Sequence, residues 1–124
     1  MTDEMERECR LAVEKSPEGI GQVRLLIEIL RGKKKTAEAK ALALRATVSA
    51  PHDPDSWVAL GESEKDLGEY PAAISHLNKK ALGLDLLKRD ALVALFLCYE
   101  KTDDKENAQE MWSRIALGGP MLYG

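Results

Sequence analysis

Apolar positions recur along the chain with helical spacing, in stretches of about 11 to 17 residues separated by short polar breaks. Leu26 and Leu30 fall four apart. Ala39 and Ala43 do the same, with Ala46 three further on, and the spacing returns at Ala73 and Leu77, Leu95 and Tyr99, and Ala108 and Trp112. The main breaks are Ser16-Pro17-Glu18-Gly19, Pro51-His52-Asp53-Pro54 and Gly118-Gly119-Pro120, with weaker ones at Gly32-Lys33, Gly68-Glu69-Tyr70-Pro71 and Thr102-Asp103-Asp104. Pro17 and Pro51 stand 34 residues apart; Pro51 and Pro120 stand 69 apart, with no proline at the midpoint near Asp85-Leu86. Helix-start signals agree with the breaks. Asp53 before Pro54 reads as an N-cap followed by proline in the first turn, Thr36 can cap the segment from Ala37, and Asp103 with Glu106 has capping-box spacing. Helix, short turn, helix, longer turn, at a period near 34, predicts an all-α array of antiparallel helical hairpins.

The residues at these positions resemble the tetratricopeptide repeat family. The middle unit carries the signature most fully, in Trp57, Leu60, Gly61, Gly68, Tyr70, Ala73 and Leu77. The preceding unit aligns through Leu26, Leu30, Ala39, Ala46 and Pro51, and the following one through Leu95, Tyr99, Ala108, Trp112 and Pro120. The resemblance implies a single α-solenoid domain over 1–124. Residues 1–16 would be the second helix of a half-unit, followed by hairpins at 20–53, 54–88 and 89–120. Three departures stand out: Glu64 replaces an aromatic, Ile115 replaces a small residue, and Ala81 comes one residue late after Ala73. The last predicts an extra residue or a local bulge in the second helix of the middle unit, and irregularity around 78–88.

Composition supports helix: Ala and Leu make 33 of the 124 residues, against 14 for Val, Ile and Thr together. No apolar stretch approaches the ~18–20 residues needed to span a bilayer. The acidic start Met1-Thr2-Asp3-Glu4 leads into no apolar core, so no signal peptide and a cytoplasmic location are expected. A net charge of −3 leaves no electrostatic footprint for nucleic acid. Cys9 and Cys98 are expected as free, buried thiols, and with His52 and His76 they show no metal-ligand spacing. No nucleophile has a base beside it, Gly19 and Gly21 do not make a phosphate loop, and Ser75-His76 reads as a solvated helix face. The acids Glu62, Glu64 and Asp66 read as a polar face, and Arg31, Lys33, Lys34 and Lys35 as a solvated turn. No catalytic residue, cofactor or metal is expected, and the chain is not read as an enzyme.

What the resemblance implies instead is a concave groove, lined by the first helices of successive units, that holds a peptide or partner helix. Carried over by register, the groove positions are Arg24, Glu28 and Arg31; Asp55, Val58, Glu62, Lys65 and Asp66; and Asp90, Val93, Leu97, Glu100 and Lys101. They predict a groove acidic along its middle, with an apolar strip from Val58 through Val93 to Leu97, suited to apolar ligands flanked by Lys or Arg. The positions that clamp chaperone C-terminal carboxylates in one subfamily hold Arg24, Glu28, Ala59, Asp90 and Ala94 here, which excludes that subfamily. The expected function is a protein–protein interaction module, as scaffold, adaptor or chaperone. The alternatives are a regulatory domain of a larger enzyme or secretion-system protein, and a small secretion chaperone. At the ends, residues 3–15 are expected to cap the array with Asp3, Glu4, Glu6, Glu8 and Glu14 outward and Met5, Cys9 and Ala12 inward. Met111, Trp112, Ile115 and Leu117 lack cover, so the chain is expected either to belong to a longer array or to form a homo-oligomer through its last helix.

Overall fold

The structure, a computed structural model, describes residues 3–86 and 88–117. Among the described residues seven helices follow one another: α1 (Asp3–Lys15), α2 (Ile20–Gly32), α3 (Thr36–Ser49), α4 (Pro54–Asp66), α5, α6 (Arg89–Lys101) and α7 (Lys105–Leu117). Helix α5 is composite. It opens as an α-helix (Tyr70–Ser75), passes through a π-helical segment (His76–Ala81) and ends in one more turn (Leu82–Leu84). No strand occurs among the described residues. Helices α2 and α3, α4 and α5, and α6 and α7 pack as three antiparallel hairpins, with α1 laid against α2.

The repeat is visible in the backbone. Lys34, Gly68 and Asp103, spaced by 34 and 35 residues, each adopt a left-handed conformation, with φ of 64°, 79° and 58°. Beside them the same two hydrogen bonds recur. Lys35, Glu69 and Asp104 N–H donate to the carbonyls of Leu30, Glu64 and Tyr99, each at 2.8 Å, and the left-handed residues donate to Arg31, Lys65 and Glu100. This is one helix-ending motif used three times, satisfying the orphan carbonyls of the first helix. The longer turns repeat too: Ser16, Ala50 and Asp85 N–H donate to Ala12, Ala46 and Ala81. The middle unit therefore ends its second helix in the common way without the proline. Asp53 caps α4 as expected, accepting from Asp55 N–H at 2.9 Å. Two expected caps differ. Thr36 is the first residue of α3 rather than its cap, and Asp104, not Asp103, accepts from Asn107 N–H at 3.2 Å.

The extra residue of the middle unit is absorbed in the π-helical segment. Inward positions on α3 are Ala39, Ala43 and Ala46; on α5 they are Ala73, Leu77 and Ala81, all buried. The wider π turn lets Leu77 and Ala81 face the core four residues apart and returns the following turn to phase. Gly61 seats the side chain of Leu77: a Cβ there would lie 2.4 Å from Leu77 Cγ. In the last hairpin Phe96 and Trp112 hold these two register positions and pack ring against ring, centroids 5.8 Å apart.

Two apolar clusters form the core. One joins α1, α2, α3 and the near side of α4, including Ala59 and Leu60; the other joins α4 through Val58 to α5, α6 and α7. Half-buried Trp57 touches both, and its indole N–H donates to the Pro51 carbonyl at 2.8 Å. Helices α4 and α6 bury small side chains in register, Ser56, Ala59 and Ser63 on α4 and Ala91, Ala94 and Cys98 on α6. Ala59 lies in the cluster of α2 and α3, and the three of α6 lie in that of α4 and α5. Burial pushes the Cys98 thiol up to about 11, so it packs as an inert small group. First helices pack directly on one another, α2 on α4 and α4 on α6, while second helices of successive hairpins scarcely meet. The array therefore curves with α2, α4 and α6 on its concave side.

The N-terminal helix corrects the sequence reading. Met5, expected inward, is exposed, and Glu6, expected outward, is buried. Lys33 and Lys35, expected in a solvated turn, reach Glu6 at 2.7 and 3.1 Å, and Lys33 also pairs with Asp3. Arg10 ties Glu6 to Glu38 of α3 at 2.8 and 2.6 Å. Hydrogen bonds from Lys33, then Arg10 and Lys35, draw the Glu6 carboxyl down to about 2. The basic turn thus holds α1 in place, with Val13 as its buried apolar contact.

Candidate functional site

The concave face joins by ion pairs Arg24, Glu28 and Arg31 of α2, Asp55, Glu62, Lys65 and Asp66 of α4, and Asp90 of α6, the helix that also carries Val93 and Leu97. Of the other expected positions, Glu100 lines the hollow between α6 and α7 and Lys101 is exposed at the end of α6. Val58 does not belong to the concave face. It is 0% exposed, packed into the second cluster where α6 lies over it, so no partner can touch it. The expected apolar strip reduces to Val93 and Leu97, which are 38% and 42% exposed.

The expected acidic centre is also corrected, because its carboxylates are already matched. Arg24 reaches across two neighbouring helices, with Nη1 2.5 Å from Asp55 Oδ1 and Nη2 3.0 Å from Asp90 Oδ2, and lies 3.7 Å from Glu28. Asp55 Oδ1 is buried and also lies 2.6 Å from Lys88 Nζ. Arg31 forks to Asp66 at 2.6 Å and Glu62 at 3.2 Å, while Lys65 lies 3.5 Å from Asp66. Apart from the local Arg24–Glu28 and Lys65–Asp66 pairs, these contacts join residues 31 to 66 positions apart, which helical periodicity does not reveal. Burial pushes Asp55 and Asp66 up, but the cations outweigh it and both sit below the usual carboxylate range. At Glu62 burial wins over Arg31 and Arg24, and its carboxyl is raised. Arg24 and Arg31 are themselves held higher than usual, their acids outweighing desolvation.

On the opposite side of α4, Glu64 and His76 depart from the expected solvated faces. Glu64 is buried and its Oε1 lies 2.8 Å from His76 Nδ1 on the first residue of the π-helical segment. The His76 ring packs on Trp57 with centroids 5.7 Å apart, and Lys80 Nζ sits 5.6 Å from the Trp57 ring centre. A polar pair therefore fills the seat that the resemblance assigns to an aromatic. No cluster of three potential metal ligands occurs among the described residues, and none of their helices is long and apolar enough to cross a membrane.

No known family profile matches the chain, and no curated protein does. Solved structures do. A crystal structure of MamA superposes with a TM-score of 0.74 over 89% of this chain and 64% of its own, at 19% identity. A second, MamA MSR-1 C2, gives 0.70 over 90% of this chain and 63% of its own, at 21% identity. The chain thus shares the helical-repeat fold of these structures and spans somewhat under two thirds of their length.

Proposed function

We propose that the chain is a tetratricopeptide-type protein-interaction module, a scaffold, adaptor or chaperone whose concave face holds a peptide or partner helix. In this reading 1–124 is one domain of a half-unit and three units (1–16, 20–53, 54–88 and 89–120), working in the cytoplasm without catalysis, nucleic acid or membrane insertion. The observation that carries it is the pair Val93 and Leu97. They are exposed apolar residues on a face where the surrounding charges satisfy one another. The partner this suits differs from the sequence expectation. With Asp55, Glu62, Asp66 and Asp90 engaged internally, an apolar segment gains more there than one flanked by Lys or Arg, because a new cation would have to displace Arg24 or Arg31. Capture on the immobilised chain identifies a partner, and calorimetry of the purified pair tests the reading. Val93→Asp with Leu97→Asp should weaken binding at least tenfold with helix content unchanged; unchanged affinity would refute it.

The sequence expectation of self-association concerns the far end of the array, where Trp112 and Leu117 are 55% and 59% exposed. Self-association through this last helix would cover them. Sedimentation of the 124-residue chain at tens of micromolar decides the matter: a dimer or larger species would support self-association, and a clean monomer would set it aside and leave this end free for another partner.

A further inference from the structure

The three hairpins are related by register, so the chain itself shows what covers each of their faces. Val58 on α4 is fully buried because α6 lies over it, while Val93, the same position on α6, is open. Leu77 on α5 is fully buried, and Trp112, its counterpart on α7, is more than half exposed. Between α6 and α7 lies an open hollow of about 520 Å³ lined by Phe96, Glu100, Lys105, Ala108, Gln109 and Trp112. At the two internal junctions the helix that fills the corresponding place presents small residues three and seven apart: Ser56, Ala59 and Ser63, then Ala91, Ala94 and Cys98. We propose that this end face is a docking site for an amphipathic helix of a partner protein carrying Ala, Ser or Cys at such spacing. The proposal rests on the stacked-hairpin interaction module above, and it continues an interface the chain already makes twice.

A second copy does not offer that helix. The one first helix without a predecessor is α2, and its register positions carry Gln22, Leu25 and Ile29, larger residues of which Ile29 is already buried. Helix α1, held by the Glu6 ion pairs, also occupies the side of α2 on which the α7 of a neighbour would have to lie. The large residues already on the end face, Phe96 and Trp112, call for small residues opposite, as close packing requires.

The probe is a synthetic peptide of residues 53–67 with Trp57→Phe, held helical by Gly61→Glu and a lactam to Lys65, on the side opposite the small-residue face. The readout is the pair of indole N–H signals of the isotope-labelled chain, assigned with Trp112→Phe. The Trp112 signal should shift saturably on titration while that of Trp57 stays, and Ala59→Arg in the peptide should weaken the effect at least tenfold. No Trp112 shift at about 1 mM peptide, the weakest specific range, would overturn the proposal, as would equal shifts with both peptides. It would also fall if Trp112 shifted with chain concentration alone, marking a second copy, or were shielded from a small quencher in the free chain, marking cover by residues 118–124. A helix seated this way would also cover Val93, so the two readings are separated by single variants. Leu97→Asp should weaken the concave partner and leave the peptide-induced Trp112 shift in place, while Gln109→Asp on the end face should weaken the peptide and leave the concave partner bound.

Discussion

At single positions, packing against the next hairpin decides what periodicity leaves open. Val58, Val93 and Arg24 share one register, yet Val58 is sealed by α6, Val93 is open and Arg24 spans the face. Gly61 is a sharper case. Its replacement by alanine adds one carbon against the buried side chain of Leu77, so Gly61→Ala should cost about 1–3 kcal/mol in denaturant unfolding, despite alanine's better helix propensity. An unchanged or higher midpoint would show that Leu77 moves aside. Glu6 sets a pH dependence. Its folded pKa of about 2 lies below the ordinary 4.5, so its contribution is fully present above about pH 4.5 and lost as pH falls toward 2. The stability gap between the parent chain and Glu6→Gln should therefore shrink across that window; a gap constant from pH 7 to 2.5 would mean that the Lys33 and Lys35 contacts contribute nothing.

Among the elements, the composite α5 shows how much of the fold was legible. Alanine and leucine spacing placed the helices, and the late Ala81 announced the extra residue, because these are local signals. The π-helical form of its accommodation, and the Glu64–His76 pair across it, depend on contacts between α4 and α5 that spacing alone does not reveal. The exposed residues Asn78, Lys79 and Lys80 lie within the wide turn. Removing Asn78 should restore the spacing of α3 and leave an ordinary α-helix, with the melting temperature within a few degrees of the parent. Removing the exposed Leu44 from the regular α3 rotates every later inward residue by about 100° and should unfold the chain. If both deletions unfold it, the extra residue is not what the π turn absorbs.

For the whole molecule, the turns of the repeat were readable while the electrostatics of its concave face were not. The pairs of Arg24 and Arg31 with Asp55, Glu62, Asp66 and Asp90 join different hairpins, so the sequence showed acids without their arginines. Arg24 links all three first helices, and Arg24→Ala should cost about 1–3 kcal/mol, chiefly by leaving the buried Asp55 Oδ1 with Lys88 alone, since Asp90 is half exposed. Lysine at this position should recover only part, since it lacks the forked geometry; full recovery in urea unfolding would reduce Arg24 to a simple counter-charge. The central claim is that the face of α2, α4 and α6 receives the partner. Hydrogen exchange of the intact chain, free and saturated with the partner it captures, tests that claim most directly. New protection should concentrate in residues 24–31 and 93–101, with α3 and α5 unaffected; protection confined to α3 and α5, leaving those two segments unchanged, would contradict it.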